Sequence, residues 1–263
     1  MFNRIRRFFR RSVPEEYPSY QRDIVDTAHT KVKMWYPEAK RFNDIRLRTR
    51  GEHENDYPQG MIVHFTAGWQ MKHPVKPGKV PTKSQIEEAK RYAKGVLELA
   101  QKNGYCYMVI DALGNVYQQS PLNKWGYHAG SSYWHNLGHS VSSKLVGVEI
   151  LSAGKLSKRH GKYFTWYGQE IPKWQVREIK EHEYHNGEPG FYQMYTASQE
   201  RALVKLNYWL KSNNPKVYSY NFVLGHDEVA PSRKNDPGGA LSMSMRKFRE
   251  KLISESFPID EEA

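Results

Sequence analysis

A histidine, a lysine and a carboxylate share one loop-like stretch of this chain. In Gly225–Gly238, GHDEVAPSRKNDPG, His226, Lys234 and Asp236 lie among Gly and Pro. The preceding Phe222-Val223-Leu224 is apolar and reads as a short buried strand, so the loop starts where a rigid scaffold can aim side chains. Neutral imidazole and carboxylate are ligands that zinc accepts, and a catalytic zinc keeps a fourth position open for water. Two ligands from one loop do not hold a metal. The third is expected from His64, in MIVHFTAG (61–68), another apolar run that ends in small residues. The expected metal set is therefore His64, His226 and Asp236.

Other charged residues stand where they need a reason. Glu149 interrupts the apolar run Val146-Gly147-Val148-Glu149-Ile150-Leu151. A carboxylate in a central strand costs free energy unless it is paired or functional, and burial raises its pKa toward the range useful to a general base. Pairing with a nearby Arg or Lys is the alternative. Lys234 precedes Asp236 by two residues, and in an extended loop such residues point the same way. Its ammonium would then face the metal, unless it is simply a solvated lysine. His135/His139 and His182/His185 compete weakly as metal ligands. The first pair sits in a loop-like context without the Glu of a His-Glu-x-x-His motif, and the second has the wrong spacing for it. A nucleophilic serine site finds no Gly-x-Ser-x-Gly support.

These residues need strands and helices to place them. The His64 strand gives way to a Pro/Gly/Lys loop (68–81), and Thr82-Lys83-Ser84-Gln85 is a capping-box sequence. It opens a helix to about Asn103, with Ile86, Ala89, Ala93, Val96, Leu97 and Ala100 spaced to face a core. Strands over 105–110 and 115–119 flank the turn Asp111-Ala112-Leu113-Gly114, where Asn115 and Tyr117 are expected to hold the hairpin together. The run 145–151 is apolar on both faces and thus central. Residues 152–194 are rich in Lys, His and Tyr and carry hairpin signals at 162–166, so they read as an insertion over one edge of the site. Thr196-Ala197-Ser198-Gln199 caps a second long helix, through Leu210, and a last helix covers about 242–256. The fold class is α/β, a central mixed β-sheet flanked by helices, with the site in a groove at the strand ends.

Composition narrows the partners. Among 263 residues, 40 Lys+Arg oppose 28 Asp+Glu, a net charge of +12 that favours an anionic partner. No helix-turn-helix, zinc-finger or ribonucleoprotein signature supports nucleic acid. Hydrophobic residues make up 38% and aromatics 13%, enough for a core rich in Tyr and Trp. The single Cys106, in a strand-like setting, excludes an intramolecular disulfide framework and reads as a buried thiol. The first twelve residues, MFNRIRRFFRRS, place Ile5, Phe8 and Phe9 on one helical face among five arginines. That is either a segment for an anionic membrane or envelope surface or a basic tail. Residues 13–58 are expected to form one or two helices, with 51–57 as a polar connector. No signal-peptide core follows the arginines, so the expectation is synthesis in the cytoplasm, with action there or on the wall after release.

Five segments in order resemble the zinc-dependent N-acetylmuramoyl-L-alanine amidases, the superfamily that includes phage lysozyme-like amidases and peptidoglycan recognition proteins. They are the His64 strand, 105–118, Gly126-Tyr127-His128-Ala129-Gly130, Val146–Ile150 and Gly225–Gly238. The resemblance covers roughly 60–250. It implies a basic extension (1–58), an amidase domain (59–256) with the insertion at about 152–194, and an acidic tail (257–263). It further implies Zn2+ as cofactor and peptidoglycan or muropeptide as substrate, cleaved between the lactyl group of N-acetylmuramic acid and L-alanine. Phage-type relatives can carry Cys as third ligand, where this chain has Asp236. Glu149 would activate the water and Lys234 would stabilise the oxyanion. His128 matches the Trp-His-Ala-Gly element, with Tyr127 where Trp is usual, and is assigned to substrate binding. Thr66 and Ala67 would line the floor, and Arg233 would meet a peptide carboxylate or brace the loop. A recognition protein that binds peptidoglycan without cleaving it is the alternative from another class, and an amidase turned to another amide is a third.

Overall fold

The computed structural model describes residues 31–180 and 188–256. The His64 strand (Gly60–Phe65) lies between Val223–Gly225 and the Glu149 strand (Leu145–Ile150), and Met108–Ile110 with Val116–Tyr117 completes a five-stranded sheet. The first four strands in that spatial order run parallel, and Val116–Tyr117 turns back antiparallel as the expected hairpin. The expected mixed α/β architecture is what forms, with the Glu149 strand at the middle of the sheet.

Strand alternation divides the side chains between the faces. Met61, Val63, Val148, Ile150 and Val223 point to one face, packed against Leu203, Leu206 and Leu210 of α2 (Ala197–Asn213) and Phe248 and Leu252 of α4 (Met245–Ser256). The other face is shared. Val109 and Tyr117 pack on Ala93, Leu97 and Ala100 of α1 (Lys83–Asn103). Ile62, Leu145 and Leu224 pack on Ala129, Leu137, Val141 and Val229. His64 and Glu149 belong to this second face by register, at its open end.

Both long helices start at the capping boxes read from sequence: the Thr82 and Thr196 hydroxyls accept from the backbone N–H of Gln85 and Gln199. Ile86 is a correction. It is 42% exposed, because the first turn of α1 is covered by a polar loop and not by the sheet. Buried Glu88 accepts there from the backbone N–H groups of Lys72 and His73. The helices expected within 13–58 do not form over 31–58; residues 1–30, with the arginine-rich segment, lie outside the described residues, as does the acidic tail. Residues 31–58 form turns joined by non-helical segments, and one of these alternates with a period of two: Ile45 and Leu47 enter the α1 core while Arg46 and Arg48 face solvent. Gly51–Glu52 pairs with Lys124–Trp125, and Tyr57 is buried, so this stretch is more than a polar connector.

The insertion folds as its own five-stranded antiparallel sheet over Lys155–Gln193, around a small cluster of Leu156, Ile171, Tyr163 and Phe191. It touches the rest of the molecule on both flanks of the site. The Trp166 indole N–H donates to the Ala67 carbonyl at 2.7 Å, and Tyr192 lies against Gly238 and Gly239, where any Cβ would collide with its ring. Among the described residues no helix is long and apolar enough to cross a membrane.

Candidate metal centre

Three buried side chains from distant parts of the chain meet at the open end of the sheet. His64 sits in the last turn of its strand, His226 opens the one-turn helix α3 (His226–Val229), and Asp236 follows on the return loop. His64 Nδ1 lies 2.9 Å from His226 Nδ1 and 3.0 Å from Asp236 Oδ2, and His226 Nδ1 lies 3.0 Å from the same oxygen. The imidazole planes cross at 84°. Among the described residues this is the one group of His, Cys, Asp or Glu side chains arranged to hold a metal ion.

The far nitrogens of the two rings are already engaged. His226 Nε2 is 3.0 Å from the Ala129 carbonyl oxygen, and His64 Nε2 is 3.2 Å from His128 Nδ1. A nitrogen facing a carbonyl carries the proton, so His226 presents a bare Nδ1 to the triangle. Two imidazoles and a carboxylate thus converge as electron-pair donors, and a tetrahedral ion with bonds near 2.0–2.1 Å would set its ligands about 3.3 Å apart. The donor set fits zinc. Burial drives the His64 pKa down to about 4, against the pull of Asp236. Asp236 is pushed up by its own burial, but hydrogen bonds with His226 and His64 outweigh this and leave it below the usual carboxylate range. A neutral His64 beside an ionised Asp236 is the pairing of protonation states a metal needs.

Glu149 is the neighbour of His64 in the sheet register. Its Oε2 is buried and has no hydrogen-bond partner among the described residues. Burial, reinforced by the charge of Asp236, holds the carboxyl well above its ordinary pKa, while Lys234 acts the other way. Among the described residues, no Arg or Lys forms the ion pair offered as an alternative for this carboxylate. Lys234 is half-buried, and its positive charge opposes protonation of both His64 and Glu149.

Thr66 ties the ends of the two central strands, its hydroxyl accepting from Ser152 N–H and donating to the Ser152 carbonyl, both at 3.3 Å. Ala67 is held at φ 53° with its carbonyl on Trp166. Arg233 braces the loop, donating to the Ala129 and Ser131 carbonyls at 2.7 and 2.8 Å. His128, assigned to substrate binding by the resemblance, has both ring nitrogens engaged, by His64 and by the Leu145 carbonyl. Asn115 and Tyr117 hold the hairpin through Asp111, as expected. His135 and His139 lie in a small hairpin apart from the triad, and His182 and His185 lie outside the described residues.

Sequence reasoning passed over residues that hold the site in place. The Tyr195 hydroxyl donates to the His64 carbonyl at 3.0 Å. Glu228 caps Gly225 N–H at 2.9 Å and takes a two-point ion pair from Arg249 at 2.7 and 2.9 Å, all of it buried, so α4 is bolted to the His226 turn. The one available signal was Glu228 three residues after Gly225, the spacing of a capping carboxylate.

Among solved structures, a selenomethionine derivative of AmpD is 20% identical, covering 79% of this chain and 92% of its own, with a TM-score of 0.44. The E. coli amidase AmiD, solved with an anhydro-N-acetylmuramic acid peptide, is 17% identical over 73% of this chain and 57% of its own, TM-score 0.44. The endolysin amidase LysCS of Clostridium intestinale is 17% identical over 84% and 98%, TM-score 0.40. No curated protein matches the sequence. The family model described as N-acetylmuramoyl-L-alanine amidase matches residues 54–239, which include every residue of the triad together with Glu149 and Lys234. The chain belongs to the N-acetylmuramoyl-L-alanine amidase family.

Proposed function

We propose that this amidase hydrolyses the bond between the lactyl group of N-acetylmuramic acid and L-alanine, in peptidoglycan or its fragments, with zinc held by His64, His226 and Asp236. The observation that carries the reading is the buried triangle of three donors beside an unpartnered carboxylate. When bound, zinc supplies Lewis acidity that polarises the amide carbonyl and makes water acidic near neutral pH. Glu149 takes a proton from the attacking water and delivers it to the departing amine of L-alanine, so the carboxylate is restored as the C–N bond breaks. The Lys234 ammonium balances the negative charge that grows on the carbonyl oxygen. Thr66 keeps the two strand ends together, and Arg233 keeps the His226 loop shut against the 129–131 segment.

The test is zinc content and release of L-alanine amino groups from purified peptidoglycan, for wild type and Asp236→Ala in parallel. About one zinc per chain and amine release, both lost in the variant, is the expected result. Zinc-loaded wild type that leaves both sacculi and small muropeptides intact overturns the reading.

A further inference from the structure

The segment Tyr127-His128-Ala129-Gly130 reaches each metal-facing imidazole from behind. His128 Nε2 lies 3.0 Å from the Leu145 carbonyl oxygen, which can only accept, so that nitrogen carries the ring proton and Nδ1 is a bare acceptor. His128 Nδ1 lies 3.2 Å from His64 Nε2, which therefore donates, and the lone pair of His64 is left on Nδ1. One residue further on, the Ala129 carbonyl takes the proton of His226 Nε2 at 3.0 Å. The two residues act on the two rings by the same logic.

The surroundings fix this arrangement. Ala129 N–H donates to Ser142 Oγ at 3.0 Å, and Arg233 grips the Ala129 carbonyl from the other side. Gly147 faces the His128 ring from the Glu149 strand, and a Cβ there would stand 2.6 Å from that ring. Gly130 has φ +58°, with the Arg233 guanidinium 3.4 Å from where its Cβ would be. Gly147 is thus required by close approach, and Gly130 by its positive φ.

We infer that His128-Ala129 is a tautomer brace: the His128 side chain and the Ala129 carbonyl hold His64 and His226 in the Nε2–H form, so that both Nδ1 lone pairs converge on the metal. The inference rests on the reading of the triad as a metal site. His128 is then a positioning residue that does not touch substrate. Outer hydrogen-bond partners of this kind are worth about 10–100-fold in metal affinity.

Two substitutions separate the brace from simple packing. His128→Phe keeps a ring in place and removes both nitrogens, while His128→Asn is smaller but sets an amide oxygen near the position of Nδ1. Long-range 1H–15N NMR of the metal-free protein, at a pH where the rings are neutral, reads the tautomer of His64. Zinc affinity is read separately by chelator competition. The expected result is a single Nε2–H form in wild type, mixed tautomers in His128→Phe, and zinc binding about 10–100-fold weaker in His128→Phe with most of it kept in His128→Asn. Gly147→Ala, which pushes the His128 ring away, should follow His128→Phe. An unchanged His64 tautomer in a folded His128→Phe protein, or zinc binding better in Phe than in Asn, overturns the inference. If wild type takes up no zinc, the metal reading falls, and the tautomer measurement still decides the brace.

Discussion

His64 and Glu149 lie directly opposite each other on neighbouring parallel strands. Strand alternation then sends both side chains to the same face, the one away from α2. Sheet register brings the carboxylate beside the triangle, and its Oε2 has no hydrogen-bond partner among the described residues. Glu149→Gln should keep its zinc and lose about 10²–10⁴ in kcat, the usual worth of a general base. Its Tm should be no lower than wild type, since a desolvated acid is exchanged for a neutral amide. Full turnover by a zinc-loaded Glu149→Gln protein would remove the base role.

Lys234 sits where its charge opposes protons on His64 and Glu149, and it opposes a metal cation for the same reason. Lys234→Ala should lower kcat by about 10²–10³, the loss seen when one oxyanion donor is removed. Zinc affinity should hold or tighten. A variant that loses zinc and turnover together would recast the lysine as a structural residue.

Removing the metal should leave three buried donors facing one another. With free zinc at about a thousand times its Kd, binding adds about 4 kcal/mol to stability, or on the order of 10 °C in Tm for a domain of this size. Chelator should erase that increment in wild type, and Asp236→Ala should show none to erase. Calorimetry with and without zinc measures it.

Glu228 and Arg249 form an ion pair shielded from solvent on both sides. Glu228→Ala takes the carboxylate away from a buried guanidinium and should cost about 3–5 kcal/mol in a denaturant titration. A double change, Glu228→Gln with Arg249→Met, should recover part of that loss, because no unpaired charge remains buried. Equal losses in the single and double variants would mean that the pair is not what joins α4 to the His226 turn.

His53 provides a pH handle at a distance from the triad. It is buried, and burial pulls its pKa down to about 4, although its Nδ1 contacts the Ser143 carbonyl at 2.9 Å. The unfolded chain accepts a proton near pH 6.5 and the folded one only near pH 4. Stability contributed by the neutral ring is therefore whole above pH 6.5 and is lost as pH falls towards 4, by about 3 kcal/mol. His53→Asn keeps a donor for Ser143 and cannot titrate, so its stability should fall less across that window. Parallel slopes for the two proteins would contradict the assignment.

Much of the centre was legible in the sequence, for local reasons. His64 and His226 each adjoin a strand end, and Glu149 is a charge inside an apolar run; such features survive any error in topology. Capping boxes at Thr82 and Thr196 were readable because each is complete within four residues. What escaped depends on contacts far apart in sequence. The role of His128 is set by Leu145 behind it and by Gly147 beneath it, and nothing near His128 announces either. Residues 31–58 misled because Pro and charge obscured a short alternation at Ile45 and Leu47, and Ile86 misled because a correct helical stripe overran the surface it packs on.

The ligands themselves set an order of assembly. His64 is separated from His226 by 162 residues and from Asp236 by 172. During synthesis His64 is the one ligand of the three present until His226 emerges, and one imidazole holds no ion. The insertion sheet, which touches Ala67 on one flank and Gly238 and Gly239 on the other, lies between these points in the chain. On the proposed reading, metal capture would thus wait for residues on both sides of the insertion, and a chain truncated before Asp236 would lack the carboxylate that completes the centre.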